Sequence, residues 1–322
     1  MSSDIALVME SSELAASRAS RTTSQPPVWP AFTTWLFAAI VGQLAVFAAF
    51  VFAGVGVGVV LGASGAEAST IGSRTQAILS QPLLMMLLSL IPCQLGILGV
   101  VLLAARRAKE GWRDCLGLVP PKSNAYGSLR LATMAGLTMS VALTSVIVNS
   151  LWLGNPPSDP ISATVNNGSW WAIALLSVVM SVLPALIEEI LFRGYVQHRL
   201  LQRWSPAVAI GVSTLLFAVL HFDSLQHIIA VIPLGIVTGV LAYRTGSVKP
   251  GMIVHAVHNV GAVAFGLLAR ILSPVLGEEV AGLVILAAIA AGFLVGLPAV
   301  ISLFRGKPAK PAEALSFQPQ YL

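Results

Sequence analysis

The run WWAIALLSVVMSVLPALIEEILFRGY, residues 170–195, reads as a membrane span. Residues 170–187 carry no charge, and the apolar run then continues through Glu188, Glu189 and Arg193. Roughly 20 such residues cross a hydrocarbon core. A water-facing helix would alternate polar and apolar faces, and this one does not. Ionisable side chains inside such a span are costly to bury in lipid, so they point to function.

The rest of the chain agrees. It has 322 residues, 56% hydrophobic and 10% charged, where a soluble domain carries roughly 25% charged residues. Apolar runs predict eight spans, at about 31–53, 82–105, 129–153, 170–192 and beyond, 206–222, 227–243, 251–269 and 280–304. The expected fold is an all-α polytopic membrane protein of about eight transmembrane helices. Its polar cavity lies among helices 4, 5 and 7. The membrane domain covers 31–306, between a disordered cytosolic tail at 1–30 and a second cytosolic tail at 307–322. No internal repeat and no soluble domain stands out.

Charges orient the spans. Arg106, Arg107, Lys109, Arg113 and Lys122 follow the second span, and Arg193, Arg199 and Arg203 the fourth. Arg244 and Lys249 follow the sixth, and Arg305, Lys307 and Lys310 the eighth. The loop after the third has Asp159 without Lys or Arg, and the loop after the seventh sets Arg270 against Glu278 and Glu279. Basic loops stay inside, so both termini are expected in the cytosol, with Arg74 a minor exception. The net charge of +5 is this loop bias and predicts no nucleic-acid partner. Residues 1–30, with Asp4, Glu10 and Glu13, lack the basic start and short apolar core of a signal peptide. Cys93 falls in a span and Cys115 in a basic loop, a placement that argues against a disulfide.

Three clusters carry chemistry. Glu189 and Arg193 stand four apart and share a helix face, while Glu188 points about 100° away without that partner. One paired and one unpaired carboxylate can hold different proton affinities, which suits the unpaired one to general-base work. The second cluster is Phe217-x-x-x-His221, followed by Asp223 and His227. Glu188 lies 16 residues before Trp204, and His221 lies 16 after Ser205. In a helical hairpin turning at Trp204-Ser205-Pro206 both stand about 24 Å from the turn, level with each other. The third is His255-x-x-x-Asn259, two hydrogen-bond donors one turn apart. Counted from the Gly246–Gly251 turn, His255 reads shallower than Glu188. His258 points elsewhere.

No His-Glu-x-x-His or Gly-x-Ser-x-Gly motif and no phosphate-binding loop occurs. Two His and one Glu could bind Zn²⁺, but without the spacing of a zinc site no metal or other cofactor is expected. Gly54, Gly56 and Gly58 read as helix packing.

Glu-Glu-x-x-x-Arg, Phe-x-x-x-His and His-x-x-x-Asn, in order on successive apolar helices, resemble the CPBP intramembrane metalloprotease-like family. That family includes the type II CAAX prenyl endopeptidases and bacteriocin-processing, Abi-type proteins. The likeness covers about 169–270. It implies a membrane-embedded glutamic endopeptidase, commonly eight-spanning, with its site open to the cytosol of a prokaryotic plasma membrane. Glu188 would activate water with help from His221, His255 and Asn259 would form the oxyanion site, and Glu189 with Arg193 would hold the helix and tune the field. The partners it implies are membrane lipid and a peptide or protein substrate, lipid-modified if processing is CAAX-type. A non-catalytic membrane scaffold or bacteriocin-immunity protein, and a proton-coupled transporter using Glu188, His221 and His255, are the competing readings.

Overall fold

The computed structural model describes residues 27–107, 111–121, 126–154 and 160–305. The expected tails, and Lys109, Lys122, Asp159, Lys307 and Lys310 of the charge argument, lie outside the described residues, apart from 27–30, which open the first helix.

The described residues form helices throughout, without strands. α1 spans Trp29–Ala63, α2 Ala68–Leu79, α3 Pro82–Ala105, α4 Trp112–Cys115, α5 Ser128–Leu153 and α6 Pro160–Asn167. α7 spans Trp170–Glu189 and runs through a π-helical segment, Ile190–Gln197, into α8, His198–Leu201. α9 spans Pro206–Val219, α10 Leu225–Thr245, α11 Lys249–Leu276 and α12 Glu278–Arg305.

Among the described residues seven helices are long and apolar enough to cross a membrane: α1, α3, α5, the rod Trp170–Leu201, α10, α11 and α12. The chain is an integral membrane protein. The expected fifth span is the exception. α9 has 14 residues, about 21 Å long, short of a ~30 Å core. Its end has a local cause. Leu220 N–H donates to Phe217 O at 3.2 Å and His221 N–H to Ala218 O at 3.0 Å, a tightened last turn.

Other helices outrun the expectation. α1 continues through Gly54, Gly56, Gly58 and Gly62 to Ala63, because glycine is tolerated where neighbouring helices close on it. A Cβ at Gly54 or Gly58 would meet Leu79 or Ile71 of α2 at 3.6 and 3.8 Å, so that face packs on α2, whereas Gly56 meets nothing. α11 continues past 269, and Arg270 is therefore a helical residue and not part of a loop. Its guanidinium donates to the carbonyls of Val165 and Gly168 at 2.8 and 2.9 Å and lies 5.2 Å from the Trp170 ring.

The site sits where α3, α7, α9, α10 and α11 meet. α7 packs on α11, α9 on α10, and α3 on α7. Close backbone approach makes this possible. A Cβ at Gly96 of α3 would stand 3.1 Å from Val41 O of α1, and one at Gly235 of α10 2.7 Å from Thr214 Cγ2 of α9. Leu191, Phe192, Phe217 and Leu234 are fully or almost fully buried around the polar cluster.

Candidate active site

Glu188 and Glu189 close the regular part of α7, and both are buried. Successive residues on a helix point about 100° apart, so the two carboxylates meet different neighbours.

Glu189 is completely buried. Its Oε2 lies 3.4 Å from Arg193 Nε, and its Oε1 accepts from His255 Nδ1 at 3.1 Å. A Cβ on Gly251 would stand 2.9 Å from Oε2, so glycine at the start of α11 leaves room for the carboxylate. Arg193, also buried, donates from Nη2 to Gly235 O at 3.1 Å, and its guanidinium stands 4.6 Å from the Phe217 ring centre. Burying this charge requires such a set of partners.

Glu188 has a different setting. Gln94 Nε2 of α3 donates to its Oε1 at 2.6 Å. Its Oε2 is buried with no hydrogen-bond partner and lies 3.9 Å from His255 Nε2. A carboxylate only accepts, so His255 Nδ1 carries the hydrogen shared with Glu189. Nε2 is then the ring atom turned toward Glu188.

Phe217 joins the motifs. Its ring contacts those of Phe192, His221 and His255 at 5.3, 4.8 and 5.8 Å, besides the Arg193 guanidinium. Phe217 O accepts from His221 Nδ1 at 3.0 Å. The carbonyl cannot donate, so Nδ1 is protonated and Nε2 of the neutral ring is the basic nitrogen. Glu188 and His255 are electrostatic neighbours of this ring.

Asn259 stands apart from the carboxylates. Its Nδ2 donates to Met180 O at 3.0 Å. That carbonyl lies four residues before Pro184, which has no N–H to offer the usual helical bond. The asparagine amide fills the missing place and keeps a second N–H. Met180 is eight residues from Glu188, about 12 Å along a regular helix.

The structure thus gathers Glu188, Glu189, Arg193 and His255 into one cluster, joins His221 to it through Phe217, and sets Asn259 one turn farther along α11. His255 is level with Glu189, not shallower. The π-helical segment explains part of this difference, since more residues per turn give less rise than a count of ~1.5 Å per residue assumes. His258 turns away to Thr138 Oγ1 at 2.9 Å. Among the described residues no three His, Cys, Asp or Glu side chains converge as the ligands of a metal would.

Sequence reasoning missed Gln94 and the linking role of Phe217. The signal for Gln94 was an amide inside the apolar run Ile91-Pro92-Cys93-Gln94-Leu95. A cavity of about 250 Å³ opens beyond Arg193, bordered by Gln197, Trp204, Tyr243 and Ser247, and includes neither glutamate.

No curated protein and no solved structure matches the chain. Residues 169–261 match the family model described as Type II CAAX prenyl endopeptidase Rce1-like. That segment holds Glu188, Glu189, Arg193, His221, His255 and Asn259, so over this part of its length the chain is similar to the type II CAAX prenyl endopeptidases.

Proposed function

We propose that the chain is an intramembrane endopeptidase of CAAX type, hydrolysing a peptide bond with a water activated by Glu188 and His221. One observation carries the reading. Neither Oε2 has a hydrogen-bond partner, but Glu189 is committed to the Arg193 ion pair at 3.4 Å and the His255 bond at 3.1 Å, while Glu188 Oε2 has only His255 Nε2 nearby, at 3.9 Å. General bases need an oxygen that structure has not already spent.

Water attacks the scissile carbonyl, and its proton passes to Glu188 with His221 Nε2 as helper. The new C–O bond leaves an oxyanion, which takes hydrogen bonds from the second amide N–H of Asn259 and from His255 Nε2, the ring acting as an imidazolium with hydrogen on both nitrogens. Such donors supply roughly 3 kcal/mol each when aimed at developing charge. The C–N bond then breaks, and the proton held by Glu188 goes to the leaving nitrogen. No acyl-enzyme forms and no cofactor enters the scheme. Arg193 and Glu189 hold His255 and the helix in place.

The basic loops support both termini in the cytosol, and the family resemblance supports a site reached from that side of a prokaryotic plasma membrane. A CAAX-type substrate would be a prenylated peptide or protein.

The test compares protein termini by mass spectrometry in membranes carrying equal amounts of wild type or Glu188→Gln. Glutamine keeps the shape but cannot take the proton. Termini found only with wild type establish proteolysis and name the substrate. Identical termini, under conditions where the protein has a phenotype, overturn the reading in favour of a scaffold.

A further inference from the structure

His221 is held by little backbone. It lies between α9 and α10, outside both helices, and its ring is part-buried. Three contacts orient it. Its Nδ1 donates to Phe217 O at 3.0 Å. The Phe217 ring meets it edge-on, with centres 4.8 Å apart and planes at 61°. The His227 ring meets it in the same manner, at 4.8 Å and 72°.

His227 is itself fixed. It lies in the first turn of α10, where its N–H donates to Ser224 Oγ at 3.1 Å. Its Nδ1 stands 2.9 and 2.8 Å from the two carboxylate oxygens of Asp223. The carboxylate accepts, so Nδ1 carries the hydrogen and the ring plane is set. The two side chains are 42% and 66% exposed. An exposed ion pair contributes about 0–1 kcal/mol to stability, so the geometry it imposes matters more than its strength.

We propose that His227, anchored by Asp223, is a positioning residue that clamps the His221 imidazole against Phe217 and so keeps Nδ1 protonated and Nε2 free to act as a base. The clamp works by orientation. Between the Phe217 and His227 rings, His221 cannot turn over, and its bond to Phe217 O selects one tautomer. Without the His227 ring the imidazole can flip and exchange which nitrogen bears hydrogen. The groups facing His221 are Glu188 from α7, His255 from α11 and His227 from α10. The inference rests on the reading that His221 assists Glu188.

The test has two readouts on the full chain in lipid nanodiscs. The first is the ¹⁵N spectrum of histidine-labelled protein, with His221 assigned by its loss in His221→Gln. Wild type should show a protonated Nδ1. His227→Ala should give the averaged pattern of mixed tautomers, whereas His227→Phe, which keeps a ring there, should stay closer to wild type. The second readout is cleavage of a quenched, prenylated peptide ending in a Cys-aliphatic-aliphatic-X sequence. His227→Ala should lower kcat roughly ten-fold or more with KM little changed, since misplacing a reacting group slows chemistry more than binding. An unchanged His221 tautomer in His227→Ala overturns the inference. Cleavage by no variant, wild type included, with the tautomer still shifted upholds the clamp and defeats the peptidase reading.

Discussion

Glu189 donates nothing to His255 and yet decides what that ring can do. The 3.1 Å bond from Nδ1 to Glu189 Oε1 points Nε2 at Glu188, 3.9 Å from its Oε2. Neighbours in the chain thus face opposite ends of one imidazole, Glu189 bonded to it and Glu188 not, and their substitutions should have different consequences.

Glu188→Gln should abolish cleavage, a loss of about 10²–10⁴-fold, with Tm near wild type. Gln94 can still meet the new side chain, and no charge is left uncompensated. Glu189→Gln should instead destabilise the fold by about 3 kcal/mol, because it strands the buried Arg193 charge. Thermal unfolding in detergent beside cleavage separates the two. Equal loss of Tm in both variants would sink the division of roles.

Asn259 invites a double-mutant test. Asn259→Ala removes the partner of Met180 O and should destabilise by about 1–3 kcal/mol. Pro184→Ala supplies the missing N–H to the same carbonyl, so adding it to Asn259→Ala should recover most of that loss. If Asn259 also donates to the oxyanion, cleavage should stay low in the double variant although Tm returns. Recovery of both would make Asn259 purely structural.

Much of this centre is legible in the sequence, and the reasons are local. Glu188, Glu189 and Arg193 stood out because charge in an apolar run is conspicuous, and i, i+4 spacing is enough to pair Glu189 with Arg193. Gln94 was not legible, because a single amide in lipid carries no spacing signal and its partner is 94 positions away. The shortness of α9 was hidden too. Leu220 and Phe222 prolong the apolar run around His221, while the helix ends in a tightened turn whose Phe217 O also takes the imidazole. The level of His255 was misjudged in part for want of the π-helical segment.

Gln94 should be tunable. Gln94→Leu removes the 2.6 Å bond to Glu188 Oε1 and frees the carboxylate to swing, so kcat should fall roughly ten-fold with the fold retained. Gln94→Glu sets a like charge against Glu188 and should be worse. Measuring kcat and KM for both checks this. A Gln94→Leu enzyme with wild-type kcat would show that Glu188 needs no support from α3.

Gly251 should refuse a methyl group. In Gly251→Ala the new Cβ would lie 2.9 Å from Glu189 Oε2 and 3.4 Å from Thr238 Cβ. The carboxylate must shift, pulling on Arg193 and His255 together. Overpacking of this kind costs about 1–3 kcal/mol, and activity should drop with it. Gly282→Ala, where nothing stands within 4 Å of the added carbon, is the matched control and should leave Tm unchanged.

The π-helical segment from Ile190 to Gln197 also makes the chain sensitive to length. Arg193 and Gln197 reach Gly235 O and Gly239 O of α10 from within it, so two side chains four apart meet two carbonyls four apart. Deleting one residue between Glu189 and Arg193 would let the segment relax to regular α-helix, at about 3.6 residues per turn, and move Arg193 relative to Glu189 and the α10 carbonyls. The two bonds to α10 would then have to be remade from new positions. In this part of the molecule the number of residues is as much a determinant of the polar cluster as their identity.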